Sequence, residues 1–391
     1  MRVAHVITRL IIGGAQENTV LNCKDLRERY GDDVLLITGP ALGPEGSLMS
    51  QAVANEIPLH CVDSLRRPIH PWRDLVAYRE IRRVLRDFQP DVVHTHSAKG
   101  GILGRYAARA LGVRAIVHTV HGAPFHPYQS ALARGLFRKC EQWAAKRCHH
   151  LISVADAMTD LMVNSGVAPR QKFTTVYSGM DVDSFLAADQ HRDQARQALG
   201  YQPDDIVVGK IARLFRLKGH EDVLLAAGDV IRKQPKVKFL FVGDGELKDS
   251  VQRRINDMGL QDHFIITGLV APEKVPELIG AMDILIHTSL REGLPRTLPQ
   301  ALIAGRPVIS YDIDGAREVT LEGVTGHLIP PQDTAALATC ILHLANDADA
   351  RTRMGGEGRK RFTECFRHEN MTARLRAIYQ RLLDGLSVNP A

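Results

Sequence analysis

The stretch REGLPRTLPQALIAG, Arg291 to Gly305, sets a carboxylate, Glu292, ahead of a run of backbone amides at the mouth of a helix. Such amides favour phosphate oxygens, whereas a carboxylate accepts hydrogen bonds from hydroxyls and repels phosphate. Together they suit a sugar joined to a diphosphate. RLFRLKGHEDVL, Arg213 to Leu224, adds two cations, Arg213 and Lys218, around a turn read as strand-to-helix, with the strand running to Leu214. Both can face one diphosphate, and their joint charge can replace a divalent metal. In IIGGAQENTV (11–20), Gly13 and Gly14 let the backbone approach a phosphate and offer it amides. The spacing is not that of a dinucleotide fingerprint, which speaks against a nicotinamide enzyme. TVHGAPFHP (119–127) places His121 at a strand end, where a lone histidine can also be an ordinary turn residue.

HTHSAKGGILGR (94–105) carries His94 and His96 at alternate positions of a strand end, so that both can point to one face. A metal held with His118 or His121 is conceivable, but no carboxylate or cysteine stands at a supporting spacing, and no metal is expected. DVD at 181–183 and DID at 312–314 read as turn-forming aspartates in preference to a manganese site.

These residues need a scaffold that gathers loops at one edge. Short apolar runs at 2–8, 33–39, 58–63, 91–96, 115–122, 150–156 and 173–179 alternate with longer amphipathic segments, the rhythm of a parallel sheet covered by helices. A polar stretch, 180–205, interrupts it. The rhythm resumes at 206–214, 238–245, 263–270, 282–289 and 306–313. The expected class is therefore α/β with two Rossmann-like domains, 1–180 and 181–367, a division that 391 residues suit. The tail HENMTARLRAIYQRLLDGL (368–386) reads as an amphipathic helix with no strand after it.

REGLPRTLPQAL resembles the donor-site signature of the retaining GT-B glycosyltransferases of the family-4-like group, in particular the bacterial capsule and exopolysaccharide transferases. That signature holds two glutamates eight positions apart, the first for the sugar hydroxyls and the second for the ribose. Glu292 matches the first; Gln300 departs from the second. Arg213 and Lys218 match the family's R-x-x-x-x-K-G element. The resemblance implies a GT-B fold whose two domains face each other across a cleft, with the last helix (368–391) crossing back onto the N-terminal domain. It implies that His121, Arg213, Lys218 and Glu292 are catalytic. Donor binding falls to Gly13, Gly14, Gly243, Gly245, Leu269, Val270, Gly293, Leu294, Pro295, Arg296, Thr297, Gln300 and Glu318, with Leu269 and Val270 serving the base. HTHSAKGGILGR falls on the acceptor side. The implied reaction moves a sugar from a nucleotide-diphosphate donor, expected to be a UDP-sugar, to a lipid-linked saccharide, without cofactor or metal. Two alternatives share this architecture: a nucleotide-sugar 2-epimerase, and a nucleotide-sugar-binding protein that has lost catalysis. TLPQ, Thr297 to Gln300, also fits a capping box, which would give Gln300 a structural task instead of ribose.

Composition is ordinary globular, 45% hydrophobic and 24% charged, which argues against disordered and fibrous classes. No apolar run reaches the ~18 residues of a spanning helix, and MRVAHVITRLIIGG reads as strand and glycine loop, so a cytosolic protein is expected. Six cysteines without a C-x-x-C pair read as reduced thiols. Charge is uneven: residues 1–180 hold 23 Lys and Arg against 15 Asp and Glu, and the remainder 27 against 29. RRPIHPWRDLVAYREIRRVLR (66–86) and ARGLFRKCEQWAAKR (133–147) mix these cations with aromatic and aliphatic residues, as helices lying on an anionic membrane surface do. Nucleic acid is not an expected partner, since no recognised nucleic-acid-binding pattern occurs.

Overall fold

The computed structural model describes residues 1–43 and 46–385. The chain divides into two compact units, one of residues 1–180 with the returning segment from Phe366, the other Asp181–Cys365. Each is a parallel sheet with covering helices, the α/β class expected.

In the first unit the strands are β1 (Arg2–Ile7), β2 (Asp33–Thr38), β3 (Leu59–Cys61), β4 (Val92–His96), β5 (Ala115–Val120), β6 (His150–Ser153) and β7 (Phe173–Thr175), in the order β3-β2-β1-β4-β5-β6-β7. β1 and β5 are near-continuous apolar runs because both faces of a parallel sheet are covered. The direction of winding reverses between β1 and β4, so the loops after those strands open at the switch point where such sheets bind ligands. The second unit contains β8 (Ile206–Ile211), β9 (Val237–Val242), β10 (Phe264–Ile266), β11 (Ile284–His287), β12 (Val308–Tyr311) and β13 (Gly326–Ile329), ordered β10-β9-β8-β11-β12-β13. Its switch point lies between β8 and β11, whose loops carry Lys218 and Glu292.

Several boundaries differ from the sequence reading. β8 stops at Ile211, three residues before Leu214, so Arg213 belongs to the loop. The edge strand β13, GHLI, is too short and too little apolar to stand out; Gly326 is required there because a Cβ would come within 1.8 Å of the Val308 carbonyl oxygen. The first basic helix spans Pro71–Phe88, with residues 66–70 outside it, because Pro71 takes the first turn and the His70 ring accepts from the Arg73 amide. The second runs Ala131–Ala145, capped by Ser130.

The last helix, His368–Leu383, packs in the core of the first unit through Met371, Leu375, Ile378 and Tyr379. Thr372 Oγ1 donates to Asp25 Oδ2 at 2.9 Å, and Arg376 Nε bonds Asp32 at 2.9 Å. Residues 386–391, within the expected 368–391 span, lie outside the described residues.

Candidate active site

In the second unit the chain leaves β8 at Ile211, loops through Ala212–Gly219 and enters a helix, His220–Lys233. Gly219 caps that helix at φ 64°, and a Cβ there would lie 2.1 Å from the Thr288 carbonyl oxygen. Glycine is thus demanded twice over. The approach clamps the loop onto the end of β11: Thr288 Oγ1 lies 2.8 Å from the Gly219 carbonyl, and the Leu290 amide donates to Leu217 at 2.8 Å.

That clamp brings Lys218 onto Glu292, whose Oε1 accepts from its ammonium. His287 Nε2 stands 3.5 Å from the same oxygen, and the Glu292 amide donates to Asp314 Oδ2 at 2.7 Å. Burial would push the Glu292 carboxyl up, but the Lys218 charge and the His287 bond outweigh it and hold the group far below the ordinary carboxylate range. The site thus keeps a permanent anion beside a cation that has three N–H donors, more than one carboxylate oxygen uses.

Beneath them lies Lys210, fully buried on β8, with Nζ 2.7 Å from Thr288 Oγ1. Burial, aided by the nearby Lys218 charge, lowers its pKa to about 7. His220, buried at the helix mouth, shares a 3.1 Å hydrogen bond with the Arg213 carbonyl, while Arg213 itself is exposed and lies over the Phe215 ring at 4.9 Å. Sequence reading missed Lys210, His287 and Thr288. The signal was there: a lysine and a histidine inside otherwise apolar strands, VVGKIA and ILIHTS.

Gly243 and Gly245 sit at φ 145° and 156° on the next loop. A Cβ on Gly243 would meet the Ala212 carbonyl oxygen at 2.1 Å, and one on Gly245 the Phe215 ring at 2.5 Å. These glycines are therefore required by the contact between two loops of this unit. Leu269 and Val270 follow β10 on a neighbouring loop, Leu269 half exposed with its amide bonded to Asp244. Gly293, Leu294 and Pro295 are buried, and the Gly293 carbonyl accepts from the Gly315 amide. The helix they lead into is Thr297–Ile303, with Arg296 in the N-cap position and no side-chain cap bond. The capping box that TLPQ offered as an alternative task for Gln300 is not formed, because Thr297 already lies inside the helix, its first residue. Glu318 ends the 3₁₀ turn Asp314–Glu318, partly buried. The aspartates of DID are engaged locally, Asp314 by the Glu292 amide and Asp312 by Arg317 at 3.0 Å.

In the first unit Gly13 is the N-cap of helix Gly14–Tyr30. Its φ of 171° is open to any residue, and a Cβ would meet only the end of the Gln16 side chain. Nothing in the backbone conformation demands that glycine. His121 follows β5 and is bonded to His96, Nε2 to Nδ1, at 3.1 Å. His5, His94 and His96 cluster beneath, all buried. They share a face because β1 and β4 pair His5 with His94 in register, while His118, one strand position before Thr119, turns to the opposite face and bonds Thr95. A metal would need one uncommitted nitrogen from each of the three. His94 has both engaged, by Tyr379 and by Thr119, and His5 Nδ1 faces His96 Nε2 across a 3.0 Å hydrogen bond.

Residues 13–179 match the family model described as "Glycosyl transferase 4-like domain", and 191–361 match "Glycosyl transferases group 1". The chain is 26% identical over 350 residues, 89% of its length and 88% of the relative's, to the UDP-Gal:alpha-D-GlcNAc-diphosphoundecaprenol alpha-1,3-galactosyltransferase of Escherichia coli. It is 28% identical over 317 residues, 78% of its own length and 81% of the relative's, to the putative glycosyltransferase EpsD of Bacillus subtilis. Its fold matches that of Anabaena Alr3699/HepE, solved with UDP and glucose, with TM-score 0.82 and 20% identity, covering 97% of this chain and 99% of that one. With both halves matched, the chain belongs to the GT-B glycosyltransferases of the family-4-like group, enzymes that take a sugar from a nucleotide-sugar donor.

Proposed function

We propose that the protein transfers a sugar from a UDP-sugar to a lipid-linked saccharide, with retention and without a metal, at an anionic membrane surface in capsule or exopolysaccharide synthesis. The observation that carries this reading is the Lys218–Glu292–His287 constellation at the β8/β11 switch point. Glu292, held anionic, accepts from the donor's sugar hydroxyls. Lys218 turns its remaining N–H groups, with Arg213, to the diphosphate and neutralises the charge that grows there as the C1–O bond breaks. The helix opening at His220, with fourteen residues, adds a stronger N-terminal field than the seven-residue helix at Thr297. His121 serves as a hydrogen-bonding partner of the donor sugar.

The state of the carboxylates argues against a glycosyl-enzyme intermediate, and with the retention that we propose it leaves a same-face attack. Glu292 is bound by Lys218 and His287, and Asp314 accepts from an amide, so neither is a free nucleophile. The acceptor oxygen then attacks C1 on the face the diphosphate leaves, and its proton passes to the departing phosphate oxygen. The two aspartates of DID are likewise committed within the fold, which supports transfer without a metal.

The acceptor reading draws on charge and exposure. Ile69 just before the Pro71–Phe88 helix, Trp72 and Val76 in its first turns, and Leu132, Leu136 and Trp143 on the Ala131–Ala145 helix, are exposed among surface arginines and lysines. No helix among the described residues is long and apolar enough to cross a membrane. A peripheral surface that seats apolar side chains between headgroups fits a substrate whose lipid stays in the bilayer. The relative in Escherichia coli is named for such a lipid-linked acceptor.

The test incubates the protein with a panel of UDP-sugars and a polyprenyl-diphosphate saccharide, with and without chelator, and reads the product's anomeric configuration by NMR. Expected are retention, indifference to chelator, and a fall of at least about a hundredfold in Lys218→Ala, since its contact would act on charge that develops on the leaving group in the transition state. Inversion, a manganese-restorable loss in chelator, or normal turnover in Lys218→Ala would each overturn a part of the reading. An epimer formed from nucleotide sugar alone would replace it by isomerisation.

A further inference from the structure

Glu292 stands in a stretch, 290–296, that belongs to no helix or strand, so its place depends on bonds made to it from neighbouring loops. Two come from the turn after β12. The Glu292 amide donates to Asp314 Oδ2 at 2.7 Å, and the Gly315 amide donates to the Gly293 carbonyl at 3.1 Å. Consecutive residues of one loop are thereby clasped by consecutive residues of the other. The second bond is backbone to backbone and needs no particular side chain. The first needs an acceptor at position 314, and it falls on the peptide of the very residue that carries the site's anion.

Asp314 makes that bond at φ 40°, in the left-handed region. Glycine adopts such a backbone without strain, so the turn by itself does not call for a side chain there. Asparagine tolerates the same conformation and could accept the same bond without a charge. The charge is held at a disadvantage: burial, with the Glu292 charge added to it, outweighs the Glu292 amide bond and the Arg291 charge and pushes the Asp314 carboxyl up. What an ionised acceptor adds is a stronger bond to the amide. Backbone strain of this kind concentrates where the surrounding fold must hold a functional group in place. We infer that Asp314 is a positioning residue, which by holding the Glu292 peptide sets where the Glu292 carboxylate meets the donor's sugar. The inference rests on the reading of Glu292 as the sugar contact. Asp314 acts through Glu292, so its loss should remove the sugar's share of donor binding and leave the share of the nucleoside diphosphate.

Calorimetry with UDP, UDP-glucose and UDP-galactose as probes tests this on Glu292→Ala, Asp314→Gly, Asp314→Asn and the double variant Glu292→Ala with Asp314→Gly, each first shown by thermal melting to be folded. Glu292→Ala should weaken at least one of the two UDP-sugars relative to UDP. Asp314→Gly, whose glycine suits the left-handed backbone, should weaken that same UDP-sugar about fivefold, the worth of one hydrogen bond, with UDP unchanged. Asp314→Asn keeps an acceptor oxygen and should recover most of the loss. Added to Glu292→Ala, Asp314→Gly should change nothing further, a coupling that a merely turn-forming aspartate does not produce. Equal losses for UDP and the UDP-sugar, single-variant losses that add, or an Asp314→Gly protein that binds every probe as the wild type does would overturn the inference. A Glu292→Ala protein that binds all three probes normally would remove the sugar-contact reading itself, and the role of Asp314 with it.

Discussion

At the scale of single residues the site is set by where charge is buried. Lys210 gives up its proton near pH 7 in the folded protein, against about 10.5 for an ordinary lysine. Between those values the unfolded chain binds more protons, so the stability of the folded state should rise with pH across that window. Lys210→Met should abolish the rise, seen by comparing melting temperatures of the two proteins from pH 7 to 10. The same lysine, linked through Thr288 to the carbonyls of Lys218 and Gly219, lies beneath the loop proposed to hold the diphosphate. UDP should raise its pKa and so bind with proton uptake near pH 8, detectable by calorimetry in buffers of different ionisation enthalpy and absent in Lys210→Met. Gln300 lies one turn inside the Thr297–Ile303 helix, and the capping task that competed with ribose contact has gone, since Arg296 occupies the cap position. Gln300→Glu should therefore tighten UDP about fivefold, the worth of a charged hydrogen bond, with the melting point unchanged. An unaltered dissociation constant would deny the ribose contact.

At the scale of elements, the two basic helices of the first unit share a design. Each buries a narrow stripe, Ala77, Ile81 and Leu85 on one and Glu141, Ala144 and Ala145 on the other, and leaves aromatic and aliphatic side chains exposed beside cations. Glu141 is buried because Arg105, itself buried, bonds it at 3.0 Å. The sequence reading began the first helix five residues early, at Arg66, because charge patterning does not reveal that His70 and Pro71 open it. Sedimentation with anionic vesicles should show binding that weakens with salt. Trp72→Ala with Ile69→Ser should lower the bound fraction at all salt concentrations, whereas Arg82→Glu with Arg83→Glu should lower it chiefly at low salt. Vesicle binding indifferent to both pairs would detach these helices from any membrane role.

At the scale of the whole molecule, the two units differ in how their chain is assembled. The second is one continuous segment, Asp181–Cys365, and should fold and bind UDP when expressed alone. The first is completed by the returning helix, which contributes buried Tyr379, Met371 and Leu375 to its core, hydrogen bonds to Asp25 and an ion pair to Asp32. A chain ending at Met180 should lack cooperative melting, and circular dichroism on the two fragments checks both statements. What the sequence by itself determined is the local part: apolar runs that must be strands, a polar break near residue 180, and cations and glycines placed in strand-to-helix turns, including Gly219, whose left-handed backbone few other residues tolerate. Those signals need only neighbouring residues. Tertiary structure alone decided that Lys218 meets Glu292, 74 positions away, and that a buried lysine lies under both. It alone aligned His5, His96 and His121, because side chains in a sheet alternate faces and the register of three separate strands chooses which of them touch. Register is a property of the assembled sheet, and no spacing along the chain encodes it.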